Sequence, residues 1–422
     1  MAALFMLQMV QSKYHIISIT GLNGISKEPE LRNLTFSNWN NGSFQDSLNA
    51  YIDFNFGFRP VFVRLYNELQ YDLFKKPHGR GLVLGKNNIL FEKWHIDEYL
   101  GTTYAGEDKI KYAVKKLQIV RSYLKEHNTE LMILIAPGKP YYFPEYLPDY
   151  YQVNDSPNNY TTYSKYLKES DLPVLDVNEW FVKLKGQIEQ PLFTQTGTHW
   201  SEFGARLVAD SLIKFIEGTF NRPMNQIHIS DTEWSYNLRK TDNDLEKLMN
   251  IYSKVNHEKA AYAIIKKDSA IDQKDRPSMV VIGDSFFWNI YDGVLSDAFN
   301  KISYFYYYST IYSPDFKSDT KVKDICVYCY LEKQDLVIML FSPLNLGYLR
   351  FALIDDYYEE VKTPDKKVMD SLKIIYYHRM QQSDKWMNLI REKAKQRNIS
   401  VDSMMWRDAD YMAKKNFREE IN

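Results

Sequence analysis

The sequence predicts an α/β fold: a mostly parallel sheet of the flavodoxin-like kind with helices on both faces, a helical N-terminal lead-in and a C-terminal helical tail. Short, continuous apolar runs end abruptly in turn residues, as at 131–136 before Pro137-Gly138 and at 279–282 before Gly283. Such runs mark strands buried on both faces. Between them lie stretches of helical period, such as Ile110, Ala113, Leu117, Val120 and Leu124. Strand, crossover helix and strand in repetition select parallel pairing.

In chain order, residues 1–40 show little periodicity. Their first ten residues are apolar but too few to span a bilayer, which takes roughly 20 residues. They also lack the basic flank and cleavage site of a signal peptide. Either a packed N-terminus or the remnant of a signal anchor fits them. The main α/β domain is expected over 41–382, opening on the helical stretch 41–75. Residues 82–84 and 89–91 flank Gly85-Lys-Asn-Asn88 as a hairpin would. Helix 107–125, strand 131–136, strand 173–176, helix 203–216 with Ser201 as N-cap, strand 279–282 and strand 335–340 follow. Residues 220–278 are more polar and read as an insertion or lid. The last segment, 383–422, reads as a helical pair packed on the domain, with Trp386, Ile390 and Ala394 on one stripe and Met405, Ala409 and Met412 on the other.

Composition narrows the function classes. The chain carries 53 Lys+Arg against 54 Asp+Glu. Neither a basic excess nor a basic stripe is present, so no nucleic-acid partner is expected. Its 33 Tyr and 8 Trp suit sugar stacking, although ordinary packing accounts for most such residues. Cys326 and Cys329 form a Cys-x-x-Cys pair. No second pair completes a zinc site, and the apolar flanks read as two buried thiols beside a strand rather than a redox centre. No metal or cofactor is expected.

Two constellations carry chemistry. Ser285 follows the strand 279–282 in Gly283-Asp-Ser. A serine at a strand-to-helix turn has its hydroxyl beyond the sheet edge, where backbone N–H groups can receive an oxyanion. Gly283 permits the tight turn. His199, in Thr196-Gly-Thr-His-Trp-Ser201, precedes helix 203–216 in a loop expected at the same edge. Its ordinary pKa suits it as the base for a serine. Taken alone, each also fits a helix cap.

The pieces in order resemble the alginate O-acetyltransferase-like branch of the SGNH hydrolase superfamily. The matching stretches are Phe56-Gly-Phe-Arg59, Gly85-Lys-Asn-Asn-Ile-Leu-Phe91, Ala136-Pro-Gly-Lys-Pro-Tyr-Tyr-Phe-Pro-Glu-Tyr-Leu-Pro148, Thr198-His-Trp200 with Gly204-Ala205, Gly283-Asp-Ser-Phe286 and the run from Asp335 to Leu346. The resemblance implies an SGNH-like domain in which Ser285 is acylated, His199 shuttles the proton and a polysaccharide hydroxyl takes the acetyl group; the enzyme expected is an O-acetyltransferase or acetylesterase acting on an extracytoplasmic polysaccharide. It also implies a periplasmic or cell-surface setting, membrane tethering at the N-terminus and a membrane-bound O-acyltransferase as acetyl source. Gly283, Lys139, Asn345 and Trp200 are the residues expected near the oxyanion or the sugar.

One position departs from the family pattern. Its Asp-x-His motif would place an aspartate at Gly197. Loss of that carboxylate in a model triad costs about 10⁴ in rate. Asp176, Glu202 and Asp284 are the candidate replacements. The alternative is a degenerate relative that binds a polysaccharide or a partner without turnover.

Overall fold

The computed structural model describes residues 2–24, 28–153, 156–268, 270–291, 293–347, 353–362 and 366–421. Its strands are β1 Leu82–Leu84, β2 Leu90–Glu92, β3 Glu130–Ile135, β4 Val174–Asp176, β5 Ile227–Ser235, β6 Ala260–Lys267, β7 Ser278–Gly283, β8 Lys301–Tyr306, β9 Thr310–Tyr312 and β10 Leu336–Phe341. Six of them form the central sheet, in the order β4-β3-β10-β7-β8-β9. Pairing is parallel throughout except for β9, which runs antiparallel to β8. All strands expected from the apolar runs are present. β8 and β9 escaped that reading because Lys301-Ile-Ser-Tyr-Phe-Tyr306 mixes polar with aromatic residues.

The two faces of the sheet bury alternate residues, as the two-residue repeat of a strand requires. Met132, Leu134, Met279, Val281, Ile338 and Leu340 pack under the helix Glu202–Phe220 through Val208 and Leu212. Leu131, Ile133, Val280, Ile282, Val337 and Met339 face the helix Glu107–Glu126 through Leu117 and Val120. Each fully buried aliphatic side chain contributes roughly 1.5–3 kcal/mol. At the end of β7, a Cβ on Gly283 would lie 2.9 Å from Leu340 Cβ, so glycine lets β7 and β10 close at the site edge.

The polar insertion is an antiparallel β5/β6 ribbon with the short helix Asp244–Met249 between its strands. Ile227 and Ala261 anchor the ribbon in the core under Glu202–Phe220. The lead-in forms helices Ala2–Tyr14, Ser43–Asn55 and Arg59–Phe74. Buried Arg64 donates to the carbonyls of Thr20 (2.9 Å) and Gly21 (2.6 Å), and Asn67 Nδ2 donates to Met249 O (2.8 Å). The Arg64 bonds hold the lead-in to its own N-terminal segment, and the Asn67 bond ties it to the insertion. Among the described residues no helix is long and apolar enough to cross a membrane.

At the other end, the expected helical pair gains a third member. Helices Lys366–Gln381, Asp384–Arg397 and Val401–Ile421 share an apolar cluster of their own, containing Met380, Ile390, Ala394, Met405 and Ala409. The cysteines correct an expectation: Cys326 and Cys329 form a disulfide and both are exposed. They sit at the start of the turn Val327–Leu331, which buries Val327 and Leu331 and leaves the cysteines on its outer side.

Candidate active site

The chain reverses sharply after β7. Asp284 caps the turn Ser285–Phe287, its carboxylate accepting from Phe286 N at 3.2 Å. The other carboxylate oxygen accepts from Ser342 N (2.7 Å), Ser342 Oγ (2.7 Å) and Asn345 Nδ2 (2.6 Å). Asp284 thus ties the loop after β10 to the turn that presents Ser285. It is fully buried and does not touch His199.

Ser285 Oγ lies 2.8 Å from His199 Nε2. The other ring nitrogen, Nδ1, lies 2.7 Å from Asp244 Oδ2. An ionised Asp244 fixes the tautomer: Nδ1 carries the proton and Nε2 accepts from the serine hydroxyl. Asp244 is itself oriented, since its Oδ1 accepts from Thr198 N at 2.9 Å. The Phe286 ring packs on the imidazole at a centroid distance of 4.7 Å. Burial pulls the His199 pKa down. The hydrogen bond and charge of Asp244, with Asp284 and Glu92 behind it, outweigh burial and leave the pKa above its ordinary value.

None of the three carboxylates read from the sequence takes the place beside His199. Asp176 ends β4, where it caps the next helix and accepts from Tyr160 and Ser164. Glu202 accepts from Asn289 Nδ2 at 2.6 Å and pairs with Lys240 at 3.1 Å. Asp244 comes instead from the insertion. Its local sequence, Thr241-Asp-Asn-Asp244, carries no signal beyond an acidic helix start.

The same segment explains Gly197. Thr194 Oγ1 donates to Asp242 O (2.5 Å), Leu245 N to Thr196 O (3.1 Å) and Glu202 N to Asp242 Oδ1 (3.0 Å). The 241–245 backbone therefore lies directly over Gly197. A Cβ there would sit 2.7 Å from Thr241 O and 2.7 Å from Thr194 Oγ1. An aspartate is excluded by the segment that delivers Asp244.

Of the residues expected near the oxyanion or sugar, Lys139 is buried and donates to the carbonyls of Gln195 (2.8 Å) and Gly197 (2.7 Å). Burial pulls its pKa down to about 7. It braces the loop that carries His199. Asn345 is bound to Asp284, as above. Trp200 is wholly buried, edge-on to Phe286 at 5.3 Å, and so cannot present a face to a sugar. Gly283 O accepts from Tyr307 N at 2.9 Å.

Tyr307 and Glu92 were not legible in the sequence. Tyr307 has a left-handed backbone, φ 47°, in the turn between β8 and β9, a conformation that side-chain-bearing residues adopt at a strain cost. Burial raises the pKa of its phenol, and the adjoining Ser285 side chain and backbone N–H oppose that rise. Glu92 accepts from Thr198 Oγ1 at 2.8 Å and faces buried His95 at 3.6 Å. Burial holds the His95 pKa below its ordinary value.

The chain shares sequence with known proteins. A curated relative, the probable alginate O-acetylase AlgJ of Azotobacter vinelandii, is 27% identical over 183 residues, 42% of this chain and 44% of that protein. The Pseudomonas putida protein of the same name is 25% identical over 179 residues, again 42% and 44%. The chain thus matches less than half the length of these relatives. Among solved structures, the O-acetyltransferase domain of Pseudomonas putida AlgJ aligns with a TM-score of 0.43 at 16% identity, covering 68% of this chain and 100% of that one. Bacillus cereus PatB1 aligns with a TM-score of 0.42 at 14% identity, covering 63% and 96%. The family profile described as "SGNH hydrolase-like domain, acetyltransferase AlgX" matches residues 82–305, more than half of the sequence, from the start of β1 into β8. The chain therefore belongs to the SGNH hydrolase-like acetyltransferase AlgX family.

Proposed function

We propose that the protein is an O-acetyltransferase that modifies an extracytoplasmic polysaccharide through an acyl-enzyme on Ser285. The observation that carries this reading is the continuous chain from Ser285 Oγ through His199 to Asp244, with links of 2.8 and 2.7 Å. In the first half-reaction Ser285 Oγ attacks the acetyl carbonyl and its proton passes to His199 Nε2. The imidazolium, stabilised by Asp244, then protonates the leaving group of the donor. In the second, a sugar hydroxyl loses its proton to His199 and attacks the acetyl-serine. The serine oxygen leaves and recovers that proton. The backbone N–H of Ser285 and the hydroxyl of Tyr307 are the groups available to the tetrahedral oxyanion.

An oxidising, extracytoplasmic setting agrees with the Cys326–Cys329 disulfide. The acetyl donor in this reading is a membrane-bound O-acyltransferase, and the names of the relatives point to a polysaccharide as acceptor. The test is acetylation of the serine. Wild-type protein incubated with p-nitrophenyl acetate should release p-nitrophenol and gain one acetyl group in mass, located on Ser285. Ser285→Ala should do neither while keeping its melting temperature. Undiminished turnover in that variant removes Ser285 from the mechanism.

A further inference from the structure

Glu92 is a largely buried carboxylate to which the acyl-transfer steps assign no task. It is the last residue of β2, and its side chain is 18% exposed. One oxygen, Oε1, accepts from Trp94 Nε1 at 3.1 Å. The other, Oε2, accepts from Thr198 Oγ1 at 2.8 Å. Thr198 is therefore held by two carboxylates, its hydroxyl by Glu92 and its backbone N–H by Asp244 at 2.9 Å. His199 is the next residue. The loop has backbone anchors as well: Leu90 N of β2 donates to Gln195 O at 2.9 Å, and Lys139 takes the carbonyls of Gln195 and Gly197. The Glu92 contact differs from these in needing a hydroxyl at 198.

The surrounding charges give this carboxylate influence over the imidazole. His95, on the helix that follows β2, brings Nε2 to 3.6 Å from Glu92 Oε2, beyond hydrogen-bond reach. Burial holds the His95 pKa below its ordinary value, so near pH 7 this ring is neutral and does not cancel the Glu92 charge. Asp244 from the insertion and Asp284 from the turn after β7 are the other acids acting on His199. Lys139, after β3, is the lysine that faces Glu92 and Asp244.

We propose that Glu92 is a positioning residue for acyl transfer: it clamps the Thr198 hydroxyl and so sets the orientation of His199 toward Ser285. This rests on the acyl-transfer reading, and the test has one arm that needs turnover and one that does not. In the first, hydrolysis of p-nitrophenyl acetate is followed against pH. Thr198→Val removes the clamped hydroxyl and should lower kcat by about tenfold or more with little change in KM, the loss expected when a hydrogen bond to a charged group is deleted. Thr198→Ser keeps the hydroxyl and should recover most of that loss. Glu92→Gln keeps the size of the side chain and an acceptor oxygen but removes the charge, so its acid limb should move to lower pH. Adding Glu92→Ala to Thr198→Val should cost little more than either change alone, because both break the same contact. In the second arm the His199 ring is titrated by NMR in full-length Ser285→Ala protein carrying ¹³C-labelled histidine, its signal assigned by loss in His199→Asn. Adding Glu92→Gln should move that titration to lower pH. A residue that only stabilised the fold would lower the melting temperature and leave the titration in place. Parental kcat in Thr198→Val, equal losses in Thr198→Val and Thr198→Ser, or an unmoved His199 titration in Glu92→Gln overturns the assignment. Failure of the wild-type serine to acetylate would instead strike the catalytic reading, and the NMR arm would still decide whether Glu92 acts on His199.

Discussion

Asp244 Oδ2 lies 2.7 Å from His199 Nδ1, although 45 residues separate them in sequence. The family pattern would place the acid two positions before the histidine, at Gly197. In this chain it arrives from across the site, on the insertion between β5 and β6, and the same segment fills the space an aspartate at 197 would need.

Replacing Asp244 therefore tests the reading most directly. Asp244→Asn keeps the size of the side chain but removes the charge that fixes the His199 tautomer and stabilises the imidazolium. The kcat/KM for p-nitrophenyl acetate should fall by about 10³–10⁴. Asp176→Asn and Glu202→Gln, whose carboxylates bond elsewhere, should leave a far larger residual activity. A loss below tenfold in Asp244→Asn would mean that Asp244 is not the partner in solution.

Restoring the family residue should harm the protein. A Cβ at 197 meets a backbone carbonyl, Thr241 O, at 2.7 Å, and backbone cannot move aside as a flexible side chain can. Gly197→Asp should destabilise the fold by about 1–3 kcal/mol, visible as a lower melting temperature, and should lower esterase activity. Higher activity in a variant of unchanged stability would show that the site lacks a working carboxylate.

The pH profile follows from the sign of the His199 shift. The base must be neutral to accept the serine proton, and Asp244 favours the protonated form strongly enough to outweigh burial. Activity should fall with decreasing pH along a limb centred above the ordinary histidine value of 6.5. Asp244→Asn removes the stabilising charge, so its residual activity should titrate at lower pH. A parental limb below 6.5 contradicts the arrangement.

Tyr307 supplies a separable test. Tyr307→Phe removes only the hydroxyl that meets Ser285, leaving the backbone turn. If that hydroxyl serves the oxyanion, kcat should fall by about 10–100-fold with little change in KM. An equal rise in KM with constant kcat would assign it to ground-state binding instead.

The C-terminal helices should prove separable. Their apolar cluster is distinct from those of the sheet, whereas Leu353, Ile354 and Tyr357 belong to the sheet's own core. A chain ending after residue 362 should remain soluble and hydrolyse p-nitrophenyl acetate at the parental rate. Aggregation of that truncation would show that the tail covers the main domain.

The sequence made the central strands readable because they are buried on both faces and so run apolar without interruption. Ser285 was readable through its position after such a strand, and His199 through its place before a long helix. The acid was not. Asp244 lies in a polar ribbon whose local pattern says only that it is exposed, and its role depends on how that ribbon folds back over residues 194–198. Tyr307 was hidden for a related reason: the strand before it mixes polar with aromatic residues, and a left-handed turn is not announced by tyrosine. Lys139 and Trp200 were expected near the oxyanion or the sugar, but both are buried, Lys139 against the carbonyls of Gln195 and Gly197 and Trp200 against Phe286.

The position of β10 has a consequence for how the protein comes into being. It is the last strand of the sheet to be synthesised, yet it lies between β3 and β7 at the sheet's centre. Until residue 341 has emerged, the two halves have nothing to pair across, and every contact that joins them spans a long loop. Such non-local pairing makes folding slow and late. Ser342 and Asn345, which hold Asp284 and hence the turn that carries Ser285, follow immediately after. A nascent chain thus contains Ser285, His199 and Asp244 long before it can align them. The site is therefore assembled only once β10 and the loop that follows it are in place.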